Sequence, residues 1–170
     1  MASVVFHIVF VLIILDFIRH YFIGKKHFPK YLLIIGGLIG AFPDIDVPLG
    51  WIYNFLTGST IDLHGMFTHS IIFPMIFLLM CIFFYFQKKI NLTKIFFIIA
   101  VSWTIHLLLD CPFGGYGGYL WPLSINTSTF CIKIWKMRNY PYFIDGAFLL
   151  LWLIHDQAYN YFKKIRKKDE

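Results

Sequence analysis

The sequence predicts an all-α integral membrane protein, a single bundle of about five helices spanning residues 1–170. Composition and one pattern predict it. Of 170 residues, 59% are apolar and 21% aromatic, while only 14% are charged, against roughly 25% charged in an average soluble domain. A soluble domain of this length has little use for twenty Phe; the excess is accounted for if much of the surface faces lipid. The pattern is a series of five apolar stretches along one domain-sized chain.

The first stretch, near residues 2–23, approaches the roughly 20 helical residues that cross a bilayer core of about 30 Å. It reads as a retained helix rather than a signal peptide: no basic segment precedes it, His7 and Asp16 lie inside it, and bulky residues end it. The second, near 30–43, is short and breaks at Phe42-Pro43-Asp44. The third, fourth and fifth lie near 70–87, 93–110 and 142–159, with a basic tail at 163–170. The connections 44–69 and 111–141 are rich in Gly, Pro, Trp and Tyr. Their Trp51, Trp121 and Trp135 suit an interfacial aromatic belt.

Alternating helices divide the basic residues unequally. Arg19, Lys25, Lys26, Lys30, Lys88, Lys89, Lys94, Lys163, Lys164, Arg166, Lys167 and Lys168 fall on one side, and Lys133, Lys136 and Arg138 on the other. Twelve against three makes the first side cytoplasmic by the positive-inside rule. The expected location is therefore the cytoplasmic (inner) membrane, multi-pass, with the N-terminus extracytoplasmic and the C-terminus cytoplasmic. The net charge of +6 is explained by this topology, since no basic patch interleaved with aromatics suggests nucleic acid. The bilayer is the expected partner; oligomeric state is not legible. Cys111 and Cys131 share the extracytoplasmic side and can pair there, but spacing alone does not decide it.

Outside the terminal Asp169-Glu170, all seven acids are Asp, a usage that suits individual roles better than a solvated surface. The same alternation carries His7, Pro43-Asp44-Ile45-Asp46, the segment His64 to Ser70, and His106-Leu-Leu-Leu-Asp110 to the extracytoplasmic face. His106 and Asp110 lie one helical turn apart on one face. Imidazole and carboxylate suit zinc, manganese or iron. A hydrogen-bonded His–Asp pair would use the same residues, but several ionisable groups in one layer at membrane depth point to function.

Phe42-Pro43-Asp44-Ile45-Asp46, then His64-x4-Thr68-His69-Ser70, then His106-Leu-Leu-Leu-Asp110 and Leu120-Trp121-Pro122, with His7 ahead of them, resemble the YdjM-type family of inner-membrane metal-dependent hydrolases. The resemblance covers residues 7–123. It implies a helical membrane fold, hydrolysis with a divalent metal, and these His and Asp residues as ligands. One departure stands out: where the family motif reads H-R-G-x-T-H-S, this chain has Gly65 and Met66 after His64. If the family's Arg clamps an anionic substrate, this chain lacks it there or supplies another cation, for which Arg138, Lys133 or Lys136 is available.

The remaining polar residues have simpler readings. Asp16 lies nine residues past His7, about 13 Å along a helix, and pairs more naturally with Arg19 or His20. Asp145 is a helix-start anion or a partner to the site, and His155 and Asp156 are interfacial. The Gly114–Gly118 run lacks a following GK[ST], so it is a turn or lid rather than a phosphate loop.

The function expected is a membrane-bound metal-dependent hydrolase with its site at the extracytoplasmic face, acting on a lipid or lipid-linked ester or phosphoester. His7, Asp44, His69, His106 and Asp110 are the expected ligands of one or two divalent ions, zinc first. Asp46 or His64 is the expected general base or a second-metal ligand. The alternatives are a divalent-metal transporter, whose site would sit near the bilayer midplane, and a structural metal clamp, which would be richer in cysteine.

Overall fold

The computed structural model describes residues 3–111, 118–123, 131 and 143–166. The Gly114–Gly117 part of the glycine run, Lys133, Trp135, Lys136, Arg138 and the tail end 167–170 lie outside the described residues. Those described are helical, turn or irregular, with no strand. They form two units, residues 1–140 and 141–170.

In the first unit, α1 (Val4–Ile18) starts at Ser3, whose hydroxyl accepts the Phe6 amide, as an N-cap should. It continues as a π-helical turn, Arg19–Ile23, and stops at Gly24 with φ +85°. After Pro29, α2 (Lys30–Gly40) returns. A 3-10 turn, Phe42–Ile45, with Pro43 in its first turn, leads without a gap into α3 (Asp46–Thr57), which ends at left-handed Gly58. α4 (Ile72–Phe86) and α5 (Ile90–Asp110) form an antiparallel pair. In the second unit, α6 (Phe143–Arg166) has Asp145 in its first turn and an Asn160–Asp156 hydrogen bond on its polar side.

One element differs from the sequence reading. Residues 44–69, expected to be a connection, contain α3. Pro48 and Gly50 argue against a helix in isolation, but Pro48 sits in the first turn, where its missing N–H is harmless. Gly50 faces Leu63 of the returning chain.

Burial is inverted relative to a soluble protein. Phe55 and Phe86 are 86% and 78% exposed, whereas His7, Asp46, His69, His106 and Asp110 are at most 2% exposed. Two helical stretches, Val4–Ile23 and Ile90–Asp110, are long and apolar enough to cross a membrane. The pair Lys30–Gly40 and Phe42–Thr57, bent by 45°, makes a third if counted as one span. Asp145, Asp156 and Asn160 dilute the apolar run of α6, which does not join that set.

The core of the first unit joins Val11 and Leu15 of α1, Leu32 and Leu33 of α2 and Ile98 of α5, closed by Phe28. Lipid is as apolar as these side chains, so close packing rather than water exclusion must hold such helices. Gly36 and Gly40, four residues apart on α2, make that contact possible. A Cβ on Gly36 would strike Leu15, and one on Gly40 would lie 2.8 Å from Val11 Cγ2 and 3.2 Å from the His7 carbonyl oxygen. The α4–α5 seam is aromatic instead, with Phe73 stacked on Trp103 at 5.2 Å and Phe84 on Phe96 at 5.2 Å.

Candidate metal centre

Four side-chain atoms from three segments meet at one point: Asp44 Oδ1, His69 Nε2, His106 Nε2 and Asp110 Oδ2 lie within 4.8 Å of one another. Asp44 comes from the 3-10 turn after α2, His69 from the turn before α4, and His106 and Asp110 from the last turns of α5. Asp110 Oδ2 is 3.2 Å from His106 Nε2 and 3.4 Å from His69 Nε2, and Asp44 Oδ1 is 3.6 Å from each.

The protons of these imidazoles are fixed from outside the cluster. His106 Nδ1 lies 2.7 Å from the Gly40 carbonyl oxygen; a carbonyl only accepts, so Nδ1 carries the proton and Nε2 presents a lone pair. His69 Nδ1 is 3.1 Å from Asp46 Oδ2, which assigns its proton in the same way. With both imidazoles neutral, the two Nε2 atoms face each other at 3.3 Å with no hydrogen between them. Asp110 Oδ2 is buried without a hydrogen-bond partner, as it must be when both imidazoles are neutral and neither neighbouring Nε2 has a proton to donate. Two lone pairs and two carboxylate oxygens aimed at one point repel unless a cation lies among them, so the residues fit a bound metal.

Electrostatics agree. Among the described residues, Asp44, Asp46 and Asp110 form ion pairs only with histidines. Burial alone would lower the His69 pKa, but hydrogen bonds to Asp110, Asp44 and Asp46 override it and raise it to about 10. Without a metal, the cluster recruits a proton to supply the missing positive charge.

Asp46 supports the centre from behind. Its Oδ1 lies 2.8 Å from His64 Nδ1, and its Oδ2 accepts the Gly65 amide at 2.9 Å and the Thr68 hydroxyl at 2.8 Å, besides facing His69. A carboxylate holding the far nitrogen of a ligating histidine fixes its tautomer and orientation. Gly65 occupies the position of the expected Arg and has φ +75°, a conformation that glycine adopts without strain and that turns its N–H onto Asp46. His7 stands beside the four atoms rather than among them. Its Nε2 is 3.3 Å from the other Asp110 oxygen, and its ring stacks on His106 at 3.9 Å.

Further groups hold the His69 turn that sequence reasoning did not find. Trp103 Nε1 donates to the Thr68 carbonyl, Ser70 Oγ to that of Trp121, and the Ile71 amide to that of Tyr119. Leu120-Trp121-Pro122 was the only signal of this last contact. Cys111, directly after Asp110, is disulfide-bonded to Cys131, the pairing that spacing left open. At the far end of α1, Asp16 pairs with Arg19 at 3.1 Å and His20 at 3.2 Å.

The sequence as a whole fits one family description, the YdjM inner membrane protein family, over residues 1–165. The chain belongs to the YdjM inner membrane protein family. A curated relative, "Inner membrane protein YbcI" of Escherichia coli strain K12, is 35% identical over 107 residues, 60% of each chain. The chain thus spans less than two thirds of the length of that relative. No solved structure matches. As a YdjM family member it is an inner-membrane protein with buried His/Asp groups that could hold a metal ion.

Proposed function

We propose that this YdjM family member is a metal-dependent hydrolase working at the extracytoplasmic face of the inner membrane, on an ester or phosphoester of a lipid or lipid-linked molecule. The observation that carries the reading is the pair of Nε2 lone pairs, set by Gly40 and Asp46 and aimed with two carboxylate oxygens at one point. Two nitrogen and two oxygen donors suit zinc, manganese or iron. When bound, such a metal supplies Lewis acidity toward a carbonyl or phosphoryl oxygen and toward water. Asp44, His69, His106 and Asp110 hold it, and His7 steadies Asp110 through the second carboxylate oxygen. His64, whose Nδ1–H is donated to Asp46, is the residue we assign as general base, with Nε2 as its basic nitrogen.

Two features support the extracytoplasmic setting. The basic residues expected on the cytoplasmic side include Lys88, Lys89 and Lys94 at the end of α5 opposite His106 and Asp110. The Cys111–Cys131 disulfide adjoins Asp110, and structural disulfides persist in oxidising compartments. The ligands sit at helix ends rather than mid-span, as a fixed site requires.

The test is hydrolysis of a panel of ester and phosphoester lipids by metal-loaded protein. Activity is expected in the wild type and lost in His106→Ala/Asp110→Ala. Hydrolysis that survives in the variant would remove the assignment.

A further inference from the structure

Beside Asp46 and His64 lies an open pocket of about 510 Å³, bordered by α3 and the chain from Ser59 to His64. That volume falls in the range of roughly 300–1,000 Å³ usual for small-molecule sites. We infer that it binds a neutral, hydroxyl-rich ring, the glycosyl headgroup of a membrane lipid. This rests on the hydrolase reading only in making the sugar a non-reacting part of the substrate.

The lining carries the inference. No Lys or Arg lines the cavity, while two carboxylates, Asp46 and Asp62, do; a phosphate would meet repulsion there and no counter-charge. Asp46 is already engaged by four donors, so Asp62 is the carboxylate acceptor for a ligand hydroxyl. Its Oδ1 takes the His64 amide, and the residue is exposed where it borders the cavity. Trp51 is 71% exposed and offers a flat indole with one N–H, the surface on which the C–H face of a sugar ring stacks.

The site is also pre-built. Asn54 accepts the Ser59 hydroxyl at 2.8 Å and the Ile61 amide at 3.0 Å, and donates to the Ile61 carbonyl at 2.9 Å. This knot fixes the wall before any ligand arrives and lowers the ordering cost of binding. On the same helix as Trp51, Phe55 and Leu56 are 86% and 75% exposed, apolar surface that suits the lipid interface. The ring therefore arrives on a membrane lipid.

Protein in nanodiscs holding monoglucosyl diacylglycerol, phosphatidylglycerol and phosphatidylethanolamine with identical acyl chains is examined by native mass spectrometry, with metal content read on the same samples. The wild type is expected to retain the glycolipid about tenfold over either phospholipid. Trp51→Ala and, separately, Asp62→Asn abolish the preference with metal content unchanged, and Trp51→Phe keeps most of it. Soluble methyl β-glucoside displacing the glycolipid assigns the ring alone; no displacement assigns recognition to the lipid-borne sugar. Equal retention of all three lipids, preference for a phospholipid, or a preference untouched by both variants overturns the inference. Loss of metal with the glycolipid preference intact would count against the hydrolase reading alone.

Discussion

An imidazole binds a metal through a nitrogen that carries no proton, so the partner of its other nitrogen decides whether it can be a ligand. For His106 that partner is the Gly40 carbonyl, and for His69 it is Asp46. Replacing the carboxylate in Asp46→Asn should weaken metal binding by about 10–100-fold without changing the stoichiometry at saturation. Chelator competition measures this, and unchanged affinity would show that Asp46 plays no supporting part. A second expectation follows from the charge on His69. Its pKa is raised to about 10 in the metal-free protein, so below that pH a metal must displace a proton. Binding is expected to release protons near neutral pH and to tighten with rising pH, about tenfold per unit for one proton. Calorimetry in buffers of different ionisation enthalpy reads the release directly.

Helices bring these atoms together, and the closest approach is between α1 and α2. In Gly40→Ala, the new methyl would crowd Val11 and the His7 carbonyl, at the end of α2 that also supplies the acceptor for His106. Overpacking of this kind costs about 1–3 kcal/mol, so lower thermal stability and weaker metal retention should appear together. A variant as stable and as metal-replete as wild type would contradict the packing account. The elements were unequally legible in sequence. Long apolar stretches marked α1, α4 and α5, because lipid-facing helices need no alternating polar face. α3 was missed because Pro48, Gly50 and Asn54 interrupt its pattern, and because its large side chains read as an interfacial loop. Convergence of His7, Asp44, His69, His106 and Asp110 was anticipated from helix alternation alone. The roles of Gly40, Gly65 and Trp103 were not, since backbone carbonyls, a positive φ and an indole donor leave no motif.

For the molecule in its membrane, the proposed orientation makes a definite chemical prediction. Among the cysteines, Cys111 and Cys131 are bonded and Cys81 is buried in α4. In intact spheroplasts, a membrane-impermeant reductant followed by an impermeant maleimide should label two thiols, and labelling should vanish without reductant. Labelling that requires permeabilised membranes would reverse the orientation and move the centre to the cytoplasmic face.

The central claim is that Asp44, His69, His106 and Asp110 enclose a metal ion. Elemental analysis of detergent-purified protein, wild type beside Asp44→Ala/His106→Ala, tests it most directly. The account predicts about one equivalent of a divalent transition metal in the wild type and none held by the variant. A wild type that binds no metal even after reconstitution, or a variant that binds it equally well, would contradict it.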